Sequence, residues 1–556
     1  MTTRNLEIFC ENTQRYYQFH LGTSLKEIYE KVEPSLKFDV LAALVNNEIQ
    51  DLSYELMKPK RINFIDVSSL DGHSVYVRSL CFLLYKAVLK LYPGIKFKVE
   101  QHISNGLYCR LGDKNIILSD DDIARIYKSM EDYVNQNIRF YHDTIETYRA
   151  VELFKTKGLS EKTELLLTRK QPYTSVYRLD SDIDYFYGVL AYSTSALKNF
   201  KLMHFHQGIL LQFPDRKNPG EILPFIHQEK MFKIHNEFKR WGRILEISNI
   251  GDLNRHVESD SIGELIKVSE ALHEKKIAEI ADRIYKRKDR TKVILISGPS
   301  SSGKTTFSKR LAIQLQVVGL KPLNLSLDDY FVNREDTPLD ENGEFDYETI
   351  DALDIELFNN DVLALLDGEE IRVPKFSFES GHRNFNGDKM KMERKNILII
   401  EGIHGLNPKL TQMLPQSTLF KIFVSAMTSV SIDGHNIISS TDNRLIRRLI
   451  RDHKYRSYKA IDTLQRWESV LDGENKHIFP FQEKADIMFN SALPYELGVL
   501  KFYAEPLLQE VFPIDLEHSK AERLLKFLAY FQRINVREIP PTSILREFLG
   551  GSTFRY

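Results

Sequence analysis

The segment VILISGPSSSGKTTFSKRLA, residues 293–312, holds the residue types and spacing best suited to chemistry. Gly298, Gly303, Lys304 and Thr305 fit G-x-x-x-x-G-K-[ST], directly after the strand-like VILIS and before the helical TTFSKRLAIQLQ. Glycines let such a loop turn its N–H groups inward, so Ser300, Ser301, Ser302, Gly303 and Thr306 can offer backbone donors to phosphate oxygens at the positive end of the following helix. Lys304 reaches the outer phosphates, and the Thr305 hydroxyl is a ligand for Mg²⁺. The expectation is a nucleoside triphosphate site served by ATP and Mg²⁺.

A transferred phosphoryl group needs a second site. LNLSLDDYF places Asp328 and Asp329 at the end of a strand-like run, and the C-terminal edge of a parallel strand faces the crevice where open α/β sheets bind ligands. A carboxylate there suits a kinase that must accept the proton of an alcohol. NILIIEGIHGLN ends an apolar strand in Glu401, a position able to bind Mg²⁺ directly or through water. In DNRLIRRLIRDHKYR, Arg444, Arg447, Arg448 and Arg451 recur at helical spacing and Arg456 follows; such a stripe suits closure over a triphosphate, although a solvated helix face accounts for at least one of them.

These residues need a parallel sheet to hold them. From residue 292 the apolar runs KVILISG, NILIIEG and LFKIFVSA alternate with helical stretches, the pattern of a parallel sheet with crossover helices. Residues 4–66 read as short strands around the helical SLKEIYEKV, which has a polar start at Ser24. Residues 71–215 read as a second α+β unit in which Ser119 caps a helix, and residues 226–290 as a helical connector. The expected domains are thus 1–66, 67–225, 226–290, 291–510 and a C-terminal helical tail at 511–556.

Composition excludes several classes. With 556 residues the chain has room for three or four domains, and 42% hydrophobic with 28% charged residues is ordinary for a globular protein. Lys+Arg at 76 against Asp+Glu at 77 gives no global field towards nucleic acid or an anionic membrane. Cys10, Cys81 and Cys109 form no C-x-x-C pair, against a disulfide framework or zinc ribbon. No apolar run approaches the ~18 residues of a membrane span, so a cytoplasmic protein without membrane contact is expected.

Taken in order, five motifs resemble the uridine kinase and phosphoribulokinase family over roughly residues 290–505: GPSSSGKTT, SLDDYF, VPKFSFESGHR, EGIHGLN and DNRLIRRLIRD. The resemblance implies an α/β P-loop kinase with Asp328 as general base and Asp346 on the ribose hydroxyls. It places Phe376, His382 and Arg383 in the acceptor pocket, Arg444 towards the acceptor, and Arg447, Arg451 and Arg456 on the ATP phosphates. Phe376 stands where uridine kinases carry a tyrosine and Gly381 where they carry the histidine that reads the pyrimidine, with His382 one place along. The segment around Asp346 is longer than the family's by two residues.

The N-terminal half resembles threonyl-tRNA synthetase, with a TGS-like β-grasp module at 1–66 and an editing-type α+β domain at 67–225. SSLDGHSVYVRS keeps His73 of that family's H-x-x-x-H pair but has Val77 for its second histidine, and DYFYGVLAYS has neither cysteine nor histidine. A binding or regulatory module without editing activity is expected, and His204 and His206 form a weak metal candidate. The expected activity is phosphoryl transfer to the 5′-hydroxyl of a nucleoside such as uridine or cytidine. The alternatives are another polyhydroxylated metabolite, as in the phosphoribulokinase branch, and an RNA-associated regulatory NTPase. RNA contact through residues 1–66 gains little support, because their basic residues (Arg4, Arg15, Lys26, Lys31, Lys37, Lys58, Lys60 and Arg61) do not outnumber the acidic ones. A homo-oligomer is expected.

Overall fold

A computed structural model describes residues 5–112, 118–340, 343, 345–377 and 379–555. Arg4, Tyr556 and single positions of the GEFDYETIDALD and VPKFSFESGHR segments lie outside the described residues.

The first sheet contains β1 (Asn5–Cys10), β2 (Arg15–His20), β3 (Ala42–Val45), β4 (Glu48–Gln50) and β5 (Lys60–Ile65) in the order β2-β1-β5-β3-β4, with α1 (Leu25–Val32) crossing it. Only β1 and β5 run parallel among its pairs. Ser24 and Glu27 form a reciprocal capping box at the start of α1.

The next region opens with α2 (Leu70–Leu91), β6 (Phe97–Ile103), β7 (Gly106–Leu111) and α3 (Asp120–Asn135). Ser119 caps α3 in a box with Asp122, as its sequence predicts. Then come β8 (Phe140–Glu146), α4 (Thr147–Thr156), α5 (Ser160–Arg169), β9 (Tyr173–Leu179), β10 (Asp182–Asp184), β11 (Lys201–Phe205) and β12 (Gly208–Gln212). They pair as two antiparallel sheets, β10-β9-β8 and β11-β12-β7-β6.

The helices α6 (Glu229–Ile244), α7 (Ile250–Glu258) and α8 (Ile262–Tyr285) follow. The sequence suggests a connector here, but the helices cover the sheet that comes after them. Ile277, Ile280 and Ile284 of α8 lie under that sheet, and Phe238 and Trp241 of α6 pack on its Phe423 and Met488.

That sheet is parallel throughout: β13 (Val293–Ser297), β14 (Lys321–Ser326), β19 (Asn396–Glu401), β20 (Leu419–Ser425) and β21 (Ile487–Asn490) in the order β14-β19-β13-β20-β21. The all-apolar VILI run suits a central strand with both faces covered. Ile294 and Ile296 pack on α8 and on Phe307 and Leu311 of α9 (Lys304–Val317). Val293 and Leu295 point the other way, towards Phe358 and Val362 of α10 (Ile355–Leu366). Between α10 and β19 lie β15 (Glu370–Arg372), β16 (Lys375–Ser377), β17 (His382–Asn384) and β18 (Lys389–Lys391), paired β15 with β18 and β16 with β17.

After β20 the chain forms α11 (Ser440–Arg456) and α12 (Ala460–His477), and after β21 it forms α13 (Glu496–Gln509), α14 (His518–Leu528) and α15 (Arg546–Leu549). Leu165 of α5, Leu253 of α7, Leu449 of α11, Leu500 of α13 and Leu524 of α14 belong to one continuous apolar core. Both halves of the chain therefore share buried surface. Among the described residues no helix is long and apolar enough to cross a membrane, and the three cysteines are buried free thiols.

Candidate active site

The loop between β13 and α9 supplies the first part of the site. Gly303 adopts φ 81°, the left-handed conformation that glycine accepts without steric cost, and it turns the chain directly into α9. Ser301 holds a positive φ as well, at 58°. Lys304 Nζ donates to the carbonyls of Gly298 (3.0 Å) and Pro299 (3.1 Å). Thr305 Oγ1 donates to Glu401 Oε1 at 3.0 Å, so the loop is joined to the end of β19.

The two carboxylates after β14 differ in their surroundings. Asp329 accepts from Lys375 Nζ (3.2 Å) and from the Phe376 backbone N–H (3.3 Å), which fastens the β16–β17 hairpin. Asp328 has no hydrogen bond or ion pair of its side chain among the described residues; it lies in the fields of Lys304, Arg456 and Arg451. Burial raises its pKa, and Asp329 adds to the rise while those three cations oppose it. Burial also pushes Glu401 up to about 7, helped by Asp328 and Glu547 and opposed by Lys304 and the Thr305 hydrogen bond.

Thr305 Oγ1, Glu401 and Asp328 thus gather hard oxygen donors beside Lys304. This set fits Mg²⁺, which is held through one or two carboxylates plus substrate phosphates rather than by an all-protein cage. Among the described residues no group of three or more His, Cys, Asp or Glu side chains is placed to hold a metal ion.

The arginine stripe divides into two roles. Arg444 is buried, donating to Ser300 O (3.2 Å) and to Glu474 of α12. Arg447 is fully buried and spans Ser301 O (3.3 Å), Ser491 Oγ (3.0 Å), Ser491 O (3.1 Å) and the Glu496 carboxylate. These two support the loop from behind. Arg448 donates to Ser300 Oγ (3.0 Å) and to Asp452 (3.1 Å), and Arg451 and Arg456 share the Asp452 carboxylate.

In the segments that the resemblance assigns to the acceptor, Asp346 Oδ1 accepts from Glu348 N at 3.0 Å. Glu348 is pushed up to about 7 by burial and by neighbouring Glu474 and Asp346, against the pull of Arg448 and Lys304. Phe376 packs near Phe331, with ring centroids 5.6 Å apart. Gly381 has φ 76°, and a Cβ there would lie 2.8 Å from Arg334 Nε, so the histidine of the resembling family has no room at this turn. His382 is exposed at the hairpin and faces Glu335 at 3.9 Å, whereas Arg383 pairs with Asp354 at 2.9 Å.

Sequence reasoning missed Glu348, Asp452, Glu474 and Glu547. Glu348 and Asp452 sit inside recognised segments without being singled out, whereas Glu474 and Glu547 are lone acidic residues that only the fold brings to the loop.

In the N-terminal half, His73 Nε2 lies 3.0 Å from Pro214 O, and its ring meets Phe213 edge-on. His204 is exposed on β11, and His206 stacks on Phe232 in the turn after it, with centroids 3.9 Å apart.

The parallel sheet, its phosphate loop and the carboxylates at the strand ends define a P-loop kinase domain. Residues 293–495 match the model of the Phosphoribulokinase / Uridine kinase family. The N-terminal region is similar to threonine–tRNA ligases. That of Parabacteroides distasonis is 29% identical over 195 residues, covering 35% of this chain and 30% of that protein. That of Listeria welshimeri is 28% identical over 187 residues, covering 34% and 29%. The chain thus spans less than a third of the length of these relatives. Among solved structures, a possible uridine kinase from Bacillus stearothermophilus (16% identity, 38% of this chain and 100% of that one, TM-score 0.26) and D-glycerate 3-kinase from Cryptococcus neoformans (11%, 46% and 87%, 0.23) are similar.

Proposed function

We propose that the chain catalyses ATP- and Mg²⁺-dependent phosphorylation of a primary hydroxyl on a nucleoside or a related polyhydroxylated metabolite. The observation that carries this reading is the contrast between the paired aspartates: Asp329 is bound into the hairpin, while Asp328 faces Lys304, Arg451 and Arg456. A carboxylate so placed accepts the proton of the acceptor hydroxyl. The acceptor oxygen then bonds to the γ-phosphorus as the bond to the ADP oxygen breaks, and the cationic side chains spread the charge of the transferring group. Thr305 and Glu401 would hold Mg²⁺, which when bound neutralises phosphate oxygens.

Phe376, Asp346, His382 and Arg383 border the proposed acceptor side. With an exposed His382 and no histidine at 381, the pocket offers few groups that read a base edge, which favours modest discrimination between uridine and cytidine. Apolar contacts separate analogues only by roughly 10–200-fold. In the same reading, residues 1–66 and 67–225 form TGS-like and editing-like modules that bind or regulate without editing chemistry. Residues 226–290 connect them to a kinase domain at 291–510, which the segment 511–556 completes.

The test is ADP release with ATP, Mg²⁺ and a panel of nucleosides, pentoses and polyols. Acceptor-dependent ADP release, nearly abolished by Lys304→Ala in a folded protein, is expected. Wild-type-like kinetics in that variant would sink the kinase reading.

A further inference from the structure

A phosphate loop recognises anions through its backbone N–H groups, its lysine and the first turn of its helix. In this chain one backbone N–H of the loop, the lysine and one donor of the helix's first turn are engaged internally. Ser300 N donates to Glu474 at 2.8 Å, and Lys304 turns back on the loop carbonyls. Thr306 donates to the Glu547 carboxylate twice, from its backbone N–H at 3.1 Å and from its hydroxyl at 2.7 Å. Thr306 N is one of the first-turn donors that α9 does not pair within itself, and Gly303 has no side chain to cap it. Glu547 supplies the negative charge and the acceptor oxygens that a bound phosphate would bring to the same place.

The segment carrying Glu547 is seated on the loop. Ile544 packs against Gly303, where a Cβ would come within 2.6 Å of it, and Phe548 lies against the Arg447 guanidinium at 5.2 Å. Lys454 of α11 donates to the Leu549 carbonyl. Ile544 and Phe548 belong to the core beneath the parallel sheet, and Glu547 stands beside them on a helix of only four residues. Upstream, the same C-terminal stretch is fastened to the N-terminal half: Lys526 of α14 pairs with Glu48 at 2.9 Å, and Pro513 O accepts from Asn47 at 3.0 Å.

We propose that residues 540–551 form an autoinhibitory strap whose Glu547 carboxylate occupies the Thr306 donors of the phosphate loop, so that a nucleotide binds only as this carboxylate withdraws. The proposal rests on the phosphate-loop reading above. It makes α15 the moving part, and through α14 it gives the N-terminal half a physical route to the loop.

The test measures equilibrium binding of ATP with Mg²⁺ to the full chain and to Glu547→Gln and Glu547→Ala, with amide hydrogen exchange followed over residues 540–551. Glu547→Ala is expected to bind ATP about tenfold more tightly and Glu547→Gln by a smaller factor, because the amide keeps an acceptor but loses the charge. Exchange in the wild-type strap is expected to rise on adding ATP. A helix-capping role alone would lower the melting temperature without tightening nucleotide binding. Unchanged or weaker ATP binding by both folded variants, with strap exchange unmoved, overturns the strap and leaves the kinase reading standing. No ATP binding by any of the three proteins would remove the phosphate-loop reading, and the strap with it.

Discussion

Two clefts in this chain desolvate titratable side chains, and they use desolvation differently. In the editing-like region, desolvation lowers the pKa of the partly buried His73. Val77 follows His73 one helical turn later, and the nearest polar partner of His73 is the Pro214 carbonyl. At the ends of β14 and β19, desolvation raises Asp328 and Glu401 instead; Lys304 counters it at both, and Arg451 and Arg456 of α11 counter it at Asp328. Burial alone shifts a proton affinity. Desolvation opposed by converging charges can yield groups that titrate where proton transfer needs them, and of these two clefts the second has that arrangement.

The largest break in this contrast comes from the proposed base, Asp328. Asp328→Asn is expected to lower kcat by roughly 10²–10⁴-fold for every acceptor while leaving ATP affinity nearly unchanged. Asp329→Asn should cost less in turnover, since Asp329 holds Lys375 and the Phe376 N–H. A large loss from Asp329→Asn with a small one from Asp328→Asn would reverse the assignment. The pH profile sharpens the same point. Asp328 must be ionised to accept a proton and its pKa is raised, so activity is present above that pKa and falls as pH drops through it. Glu401, at about 7, adds to the fall near neutrality, so the acidic limb of kcat/KM should lie above the ordinary carboxylate range. A limb at the usual aspartate pKa would contradict this environment.

Much of this second cleft is legible as sequence, because its parts carry local signals. The glycines and Lys304 have fixed spacing, the apolar VILI and ILII runs mark buried parallel strands, and Ser24 and Ser119 announce helix starts. What stays hidden depends on long-range packing. Arg444, Arg447, Arg448 and Arg451 share a helical stripe, but their spacing does not say that Glu474 and Glu496 draw the first two behind the loop. Glu474 and Glu547 reach Ser300 and Thr306 from far along the chain, and a lone glutamate in a helix has no spacing signal. The helices of residues 226–290 look like a linker because amphipathicity shows that a face is buried without showing against what.

The halves also differ in chemistry without being mechanically separate. Lys162 of α5 contacts Asp184 at 2.7 Å and Asp433, before α11, at 3.0 Å, and His435 bonds the same Asp184 at 2.6 Å; all four are nearly or fully buried. Burial acts to raise Asp184, and His435 and Lys162 overcome it to leave it below the usual range. Removing one partner of such a network leaves charges uncompensated, which typically costs about 3–5 kcal/mol. Lys162→Met should therefore lower the stability of the full chain by that order, with both halves unfolding in one denaturant transition. Two separate transitions in the wild type, with only the N-terminal one moved by Lys162→Met, would show the halves to be independent.

The smallest expected effect lies in the first cleft and tests the contrast from its other side. His73→Ala removes the histidine kept from the synthetase-like H-x-x-x-H pair, but it touches neither the phosphate loop nor Asp328. Phosphoryl transfer should stay within about twofold of wild type, since substitutions away from a site and its core usually change little. The full chain should show no hydrolysis of mischarged aminoacyl-tRNA and no stoichiometric zinc. His73 is lowered in pKa, Val77 offers no ligand, and His204 and His206 stand on a strand and in a turn with separate partners. Ester hydrolysis that vanishes in His73→Ala would show that a single neutral histidine suffices in this cleft. The difference between the two clefts would then be one of substrate rather than of chemical competence.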